Sequence, residues 1–216
     1  MNTTKLPTQE VPLKTDRPEK AVAIPQHIIL ASHVAVTGPY QELQSYLQNR
    51  CQKLLCIWHP LQPFTPLGDT HSGHELQIEG KVKERTLHSQ PGIPAGLASE
   101  LCLFAIHALR TYVWARRFAK GADLFIGINP LNAWVGWLLR KTGCINTLVY
   151  YVIDYVPNRY SNRWLNRAYH AVDRWCIRQA DQVWNLSSRM VSAREAAGVS
   201  PYYRDKQITV PIGTDL

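Results

Sequence analysis

Residues 122–154 read ADLFIGINPLNAWVGWLLRKTGCINTLVYYVID, and their order decides the fold. Ala122–Ile128 is a short apolar run closed by Asn129-Pro130, the length and composition of a buried strand. Pro130 suits the first turn of a helix, the helical pattern continues to Lys141, and Gly143 stops it. Thr147–Ile153 (TLVYYVI) is a second buried strand. Two apolar strands joined by a helix predict a parallel β-α-β unit. The fold class expected is therefore α/β, a Rossmann-like, open, mainly parallel sheet with helices on both faces.

The flanking sequence repeats the alternation. Upstream, His27–Ala35 and Lys53–His59 (KLLCIWH) read as buried strands. Between them Thr37-Gly38-Pro39 makes a turn, and Tyr40–Arg50 a helix with Leu43, Tyr46 and Leu47 on one face. Pro60 to Gly73 reads as a loop. His74–Gly80 and Lys81–His88 are weaker strands, expected as an edge hairpin. Ala95–Lys120 is a long helix whose Arg116, Arg117 and Lys120 complement its carboxyl-terminal dipole. Downstream, Asp154 to Tyr160 is a loop, and Ser161 opens a helix to about Ala180. Gln182–Asn185 is a short strand, Ser187 or Ser188 caps a helix ending at Gly198, and Gln207–Pro211 is the last strand. Residues 1–26, rich in Thr, Pro, Lys and Glu, read as a flexible arm, and 27–216 as one domain.

Composition narrows the function classes. The net charge is +8. A basic balance suits phosphate-bearing ligands, an anionic membrane surface or nucleic acid, and equally a solvated surface. No nucleic-acid reader motif occurs, so nucleic acid is not an expected partner. Five cysteines without a C-x-x-C pair imply reduced thiols in the cytoplasm. No signal-peptide core is present, and the apolar runs fall short of the roughly 20 residues that span a bilayer. The G-x-x-x-x-G-K-[ST], G-x-G-x-x-G and G-x-S-x-G signatures are absent, and no cofactor is expected. His71 and His74 beside Asp69 lack further ligands for a metal site.

Four segments then follow in order: ADLFIGINPLNAWVGWLLRKTG, VYYVIDYVPNRY, DRWCIRQADQVWNLSSRM and ITVPIGTDL. Together they resemble the retaining glycosyltransferases of family 4 and their relatives, whose GT-B architecture sets two Rossmann-like domains face to face. Asp173, Arg174, Ala180, Asp181, Val183, Ser187, Met190, Pro211, Gly213 and Asp215 carry the match. The resemblance implies an acceptor-side domain ending in the interdomain linker, with a nucleotide-sugar and an acceptor as substrates. The donor domain, with its basic phosphate-binding residues and E-x7-E carboxylates, is expected on a missing C-terminal half or a split partner. The chain alone is expected to be inactive, and its exposed partner face to associate. The alternative is a non-catalytic Rossmann-like module that recruits a partner or a membrane.

Ligands of such sheets bind beyond the carboxyl ends of the strands. That rule selects His33, Thr37, Gly38, Asn129, Tyr155, Asn158, Arg159 and Ser187 as cleft residues. It selects Asp154 as the catalytic candidate, able to steer an acceptor hydroxyl or balance oxocarbenium-like charge. Each has a structural alternative. Asp154 can bracket Asn158 and Arg159, Asn129 can cap a helix, His33 can be structural, and Thr37-Gly38-Pro39 can be a simple turn, Pro39 offering no N–H to a phosphate. Arg163, Arg167, His170, Arg174 and Arg178 are spaced as a basic helix stripe opposite an expected inward face of Leu165, Ala168, Val172 and Trp175. The stripe is either a solvated face or a patch for anionic ligands or lipid headgroups, the latter placing the chain on the inner face of the cell membrane.

Overall fold

The computed structural model describes residues 25–33, 38–60, 71–91 and 97–211. The N-terminal arm, Thr37, Gly213 and Asp215 lie outside them. The elements are β1 (His27–His33), α1 (Gly38–Gln48), β2 (Lys53–His59), β3 (His71–Ile78), β4 (Lys81–Ser89), α2 (Leu97–Phe118), β5 (Ala122–Ile128), α3 (Pro130–Lys141), β6 (Ile145–Val152), α4 (Arg163–Gln179), β7 (Gln182–Asn185), α5 (Ser188–Ala196), a 3-10 turn (Pro201–Tyr203) and β8 (Gln207–Thr209). They form one eight-stranded sheet of order β4-β3-β2-β1-β5-β6-β7-β8. Six strands are parallel, and β3 and β4 are antiparallel additions on the β2 edge. The expected Rossmann-like sheet is therefore present.

The edge hairpin turns at Glu79-Gly80, both at positive φ (51° and 72°), the pattern of a tight turn whose twist matches its strands. Differences from the sequence reading are small at most boundaries. The strand expected from His74 begins at His71, and the helix expected from Tyr40 begins at Gly38.

The core has two layers. Ile29, Leu55, Phe125 and Leu148 point to one face, under Trp114 and Ala115 of α2, Val135 and Leu139 of α3, and Ile177 of α4. Ile28, Leu30, Leu54 and Ile126 point to the other, against Tyr40 and Leu47 of α1. Strand side chains alternate between faces, so each buried strand feeds both layers. Each fully buried side chain of this size contributes about 1.5–3 kcal/mol. Gly127 permits the close fit of α3 on β5: a Cβ there would lie 2.7 Å from the Ala133 backbone nitrogen.

One expectation fails in phase. The inward face of α4 is Asp173, Cys176 and Ile177, while Ala168 is exposed and Val172 is 38 % exposed. Of the stripe Leu165, Ala168, Val172, Trp175, therefore, Trp175 packs against the core and Leu165 is half-buried, while Ala168 and Val172 face outward. The helix buries its single carboxylate because a partner for it exists on α5.

Candidate functional site

The chain leaves β1 toward β2 by way of α1 on one face, and leaves β5 toward β6 by way of α3 on the other. A crevice opens where such connections diverge, beyond the carboxyl ends of the two strands. His33 ends β1 and Asn129 follows β5, so both sit at this divergence. Asp154 follows β6 and Ser187 follows β7 at the same edge, and Gly38 starts α1 beside it. Neighbouring strands lie roughly 4.8 Å apart, so Asn129 and Asp154 are one strand spacing from each other along the edge.

Asn129 is strained. Its φ of 78° with ψ of 163° belongs to a region occupied almost only by glycine. Three groups hold it there. Its Oδ1 accepts from the Asn132 backbone N–H (3.2 Å), capping α3, and its own N–H donates to the Tyr151 carbonyl (3.2 Å). Its Nδ2 donates to His33 Nδ1 (2.9 Å), which also accepts from Asn132 Nδ2 (3.2 Å).

Those donors fix the tautomer of His33: Nδ1 accepts, so Nε2 carries the proton and donates to His107 Nδ1 (3.2 Å). His107 Nε2 in turn donates to Gln90 Oε1 (3.2 Å), and Gln90 Nε2 donates to Ser72 Oγ (2.6 Å). Ser72 then donates to His59 Nδ1 (2.8 Å), whose Nε2 donates to Thr111 Oγ1 (2.8 Å). The rings of His59 and His107 stack at 4.5 Å. Burial, then His107, push the His33 pKa down to about 3. Burial and then Arg110 push His107 down to about 4. Burial, His33, His107 and Arg110 hold His59 well below its ordinary value. Near neutral pH this seam is uncharged, and His33 spends both ring nitrogens within the chain.

The β6 end is different. Asp154, half-exposed, forms an ion pair with Arg159 Nη2. The Arg159 guanidinium lies over the Tyr169 ring at 5.1 Å. The loop after Asp154 is pinned to α4, for the Pro157 carbonyl accepts from Asn166 Nδ2 (2.8 Å) and His170 Nε2 (2.9 Å). Tyr155 meets His170 edge-on at 5.6 Å. Asn158 and Arg159 open onto a concave surface lined also by Ser161, Arg163, Asn166 and Arg167. Ser187 caps α5, accepting from the Arg189 N–H at 3.2 Å. Of the basic stripe, Arg163, Arg167 and Arg178 are exposed, while His170 and Arg174 are half-buried.

Beneath this end lies a cluster that sequence reading missed. Arg194, 1 % exposed, donates to Asp173 Oδ1 (2.9 Å) and to Asn185 Oδ1 (2.6 Å). Tyr150 donates to the same Asp173 oxygen (2.6 Å). Burial favours loss of the Arg194 proton, but Tyr150 and Asp173 outweigh it and raise its pKa. Tyr155 lies over Arg194 at 5.5 Å, so this pin supports the loop that carries Asp154. The available signal was Asn185 at a strand's carboxyl end, nine residues before an arginine in a short helix.

Among the described residues no group of three or more His, Cys, Asp or Glu side chains is placed to hold a metal ion. No helix among them is long and apolar enough to cross a membrane. All five cysteines are free thiols, and Cys102 is exposed.

No family model matches this chain, and no curated protein matches it. Among solved structures it is similar to the catalytic domain of Starch Synthase IV from Arabidopsis thaliana bound to ADP and acarbose, with 11 % sequence identity and a TM-score of 0.56. The match covers 89 % of this chain and 52 % of that one, so the chain spans about half the length of the structure it resembles. The likeness is one of fold, and it agrees with the GT-B-like, Rossmann-type arrangement implied by the sequence.

Proposed function

We propose that this chain is the acceptor-side half of a glycosyltransferase of the GT-B kind, related to family 4. With a donor-binding half in place it moves a sugar from a nucleotide-sugar to an acceptor, and without one it is inactive. One observation carries the reading: a strained Asn129 stands at the strand divergence, one strand from Asp154, at the edge where such sheets bind ligands. The fold likeness to a domain that binds ADP and acarbose supports it. In this role the neutral histidine seam is a rigid floor. Asp154, aimed by Arg159, accepts a hydrogen bond from an acceptor hydroxyl or offsets positive charge developing on the transferred sugar. Free thiols suit a cytoplasmic setting.

The test is transfer from a panel of nucleotide-sugars, measured on the chain alone and after fusion to a donor-binding domain of the GT-B kind. Turnover is expected only from the fusion. Asp154→Asn is expected to lower kcat by about 100-fold with an unchanged circular dichroism spectrum. A fusion that folds, binds nucleotide and transfers no sugar defeats the reading.

A second reading is a non-catalytic module that recruits a partner or an anionic membrane through α4. The observation favouring it is that His33 and Asn129 are engaged with one another while Arg163 and Arg167 are exposed.

A further inference from the structure

Helices α2, α3 and α4 lie side by side on one face of the sheet. Surface helices normally turn polar residues outward. These do not. Leu109 and Val113 of α2 are 63 % and 47 % exposed, and Trp164 and Val172 of α4 are 68 % and 38 % exposed. Trp134 and Leu138 of α3, the helix between them, are half-buried. On α4 the exposed apolar positions Trp164, Ala168 and Ala171, spaced four and three, run along the side opposite Asp173, the residue turned to the core, while Trp175 packs inward against Trp137 of α3.

Charge identifies what covers this face. The three helices hold nine of the chain's 24 Lys and Arg but only two of its 16 Asp and Glu. They therefore carry seven of the eight net positive charges. Of the two carboxylates, Glu100 sits in the first turn of α2, and Asp173 is buried against Arg194. One arginine, Arg140, is committed to Asp181. The guanidinium groups of Arg163 and Arg167 stand over the Trp164 ring at 5.5 and 5.7 Å, so cation and indole are presented together.

We infer that the outer surface of α2, α3 and α4 is a docking face for an anionic lipid bilayer. Leu109, Val113, Trp164 and Val172 enter the headgroup region, and the surrounding arginines pair with lipid phosphates. An apolar strip rimmed by arginines and lacking carboxylates matches the interfacial zone of such a bilayer. Because the helices cover a face of the sheet, the carboxyl edge with Asn129 and Asp154 then opens alongside the membrane rather than away from it. This deepens the membrane-recruiting reading above, and it does not depend on sugar transfer.

The experiment is co-sedimentation of the 216-residue chain with large vesicles of phosphatidylcholine containing about one-third phosphatidylglycerol, which supply the negative surface potential that attracts basic segments. Binding is expected at low salt, with loss at high salt and on pure phosphatidylcholine. Arg163→Glu with Arg167→Glu is expected to weaken it at least tenfold. Leu109→Gln with Val113→Gln, both exposed positions, is expected to weaken it comparably without altering the circular dichroism spectrum. Lys81→Glu with Lys83→Glu, on β4, is expected to leave it unchanged. Failure to bind the anionic vesicles, equal binding to neutral ones, or wild-type binding by the first two variants overturns the inference. So does a dimer in sedimentation velocity that Leu109→Gln with Val113→Gln dissolves while vesicles stay unbound. Nucleotide-sugar transfer by the fusion described above is read separately, so either proposal can fail alone.

Discussion

Beneath β1 and β2 the buried polar groups are neutral: His33, His107, Gln90, Ser72, His59 and Thr111 hand hydrogen bonds along one direction. Beneath β6 and β7 they are charged: Arg194 and Asp173 face each other, Tyr150 donating to Asp173 and Asn185 accepting from Arg194. Both regions support loops at the same sheet edge, yet they respond to opposite perturbations. A neutral network costs little to bury while every donor meets an acceptor, but added protons disrupt it. An ion pair holds its charges through the middle pH range, but loss of either partner leaves a bare buried charge.

The comparison is most severely tested by Arg194→Met. It leaves Asp173 buried and unpaired, and should cost about 3–5 kcal/mol in urea unfolding. A loss under 1 kcal/mol would mean that Asp173 finds water or takes up a proton, and that the two regions are alike after all.

Acid probes the other region. The folded pKa values of His33 and His107, about 3 and about 4, lie below the unfolded value near 6.5. The unfolded chain therefore binds more protons between these limits. Stability from the seam is complete above pH 6.5 and declines as pH falls toward 4 and then 3, by about 2 kcal/mol for each histidine at pH 5. Beside the seam Arg110 of α2 opposes the added charge on His107 and His59, and the one carboxylate nearby on the hairpin, Glu84, is paired with His74. His107→Gln should flatten this acid limb in a pH series of urea midpoints. An unchanged limb would locate the proton uptake elsewhere.

The smallest effect concerns Asn129. Asn129→Ala keeps the unfavourable backbone and removes the cap, so it should cost about 1–2 kcal/mol. Asn129→Gly relieves the backbone and should fall within about 1 kcal/mol of wild type. If the two variants melt alike, the strain at this position is not stored in the backbone.

Much of the fold was legible because β1, β2, β5 and β6 bury both faces and so read as unbroken apolar runs. The hairpin was legible from turn residues flanking two weak strands. The edge positions of His33, Asn129 and Asp154 followed from where strands end. Their partners did not. His107 and Gln90 come from α2 and from the end of the hairpin, 74 and 57 residues from His33 in a chain of 216, and no local pattern announces such a meeting. The phase of α4 was misread for a related reason. Two stripes along that helix are plausible insides, and the true one contains Asp173, which reads as surface until Arg194 is known to face it.

The rims of the sheet bear on how the chain behaves when crowded. One rim is β4, exposed along most of its length and studded with Lys81, Lys83, Glu84 and Arg85; the other is β8, only three residues long. A second molecule trying to extend the ladder would meet a charged, mostly basic rim on one side and almost no unpaired backbone on the other. Clumping of this protein should therefore proceed helix against helix, be dispersed by mild detergent, and leave amyloid dyes dark.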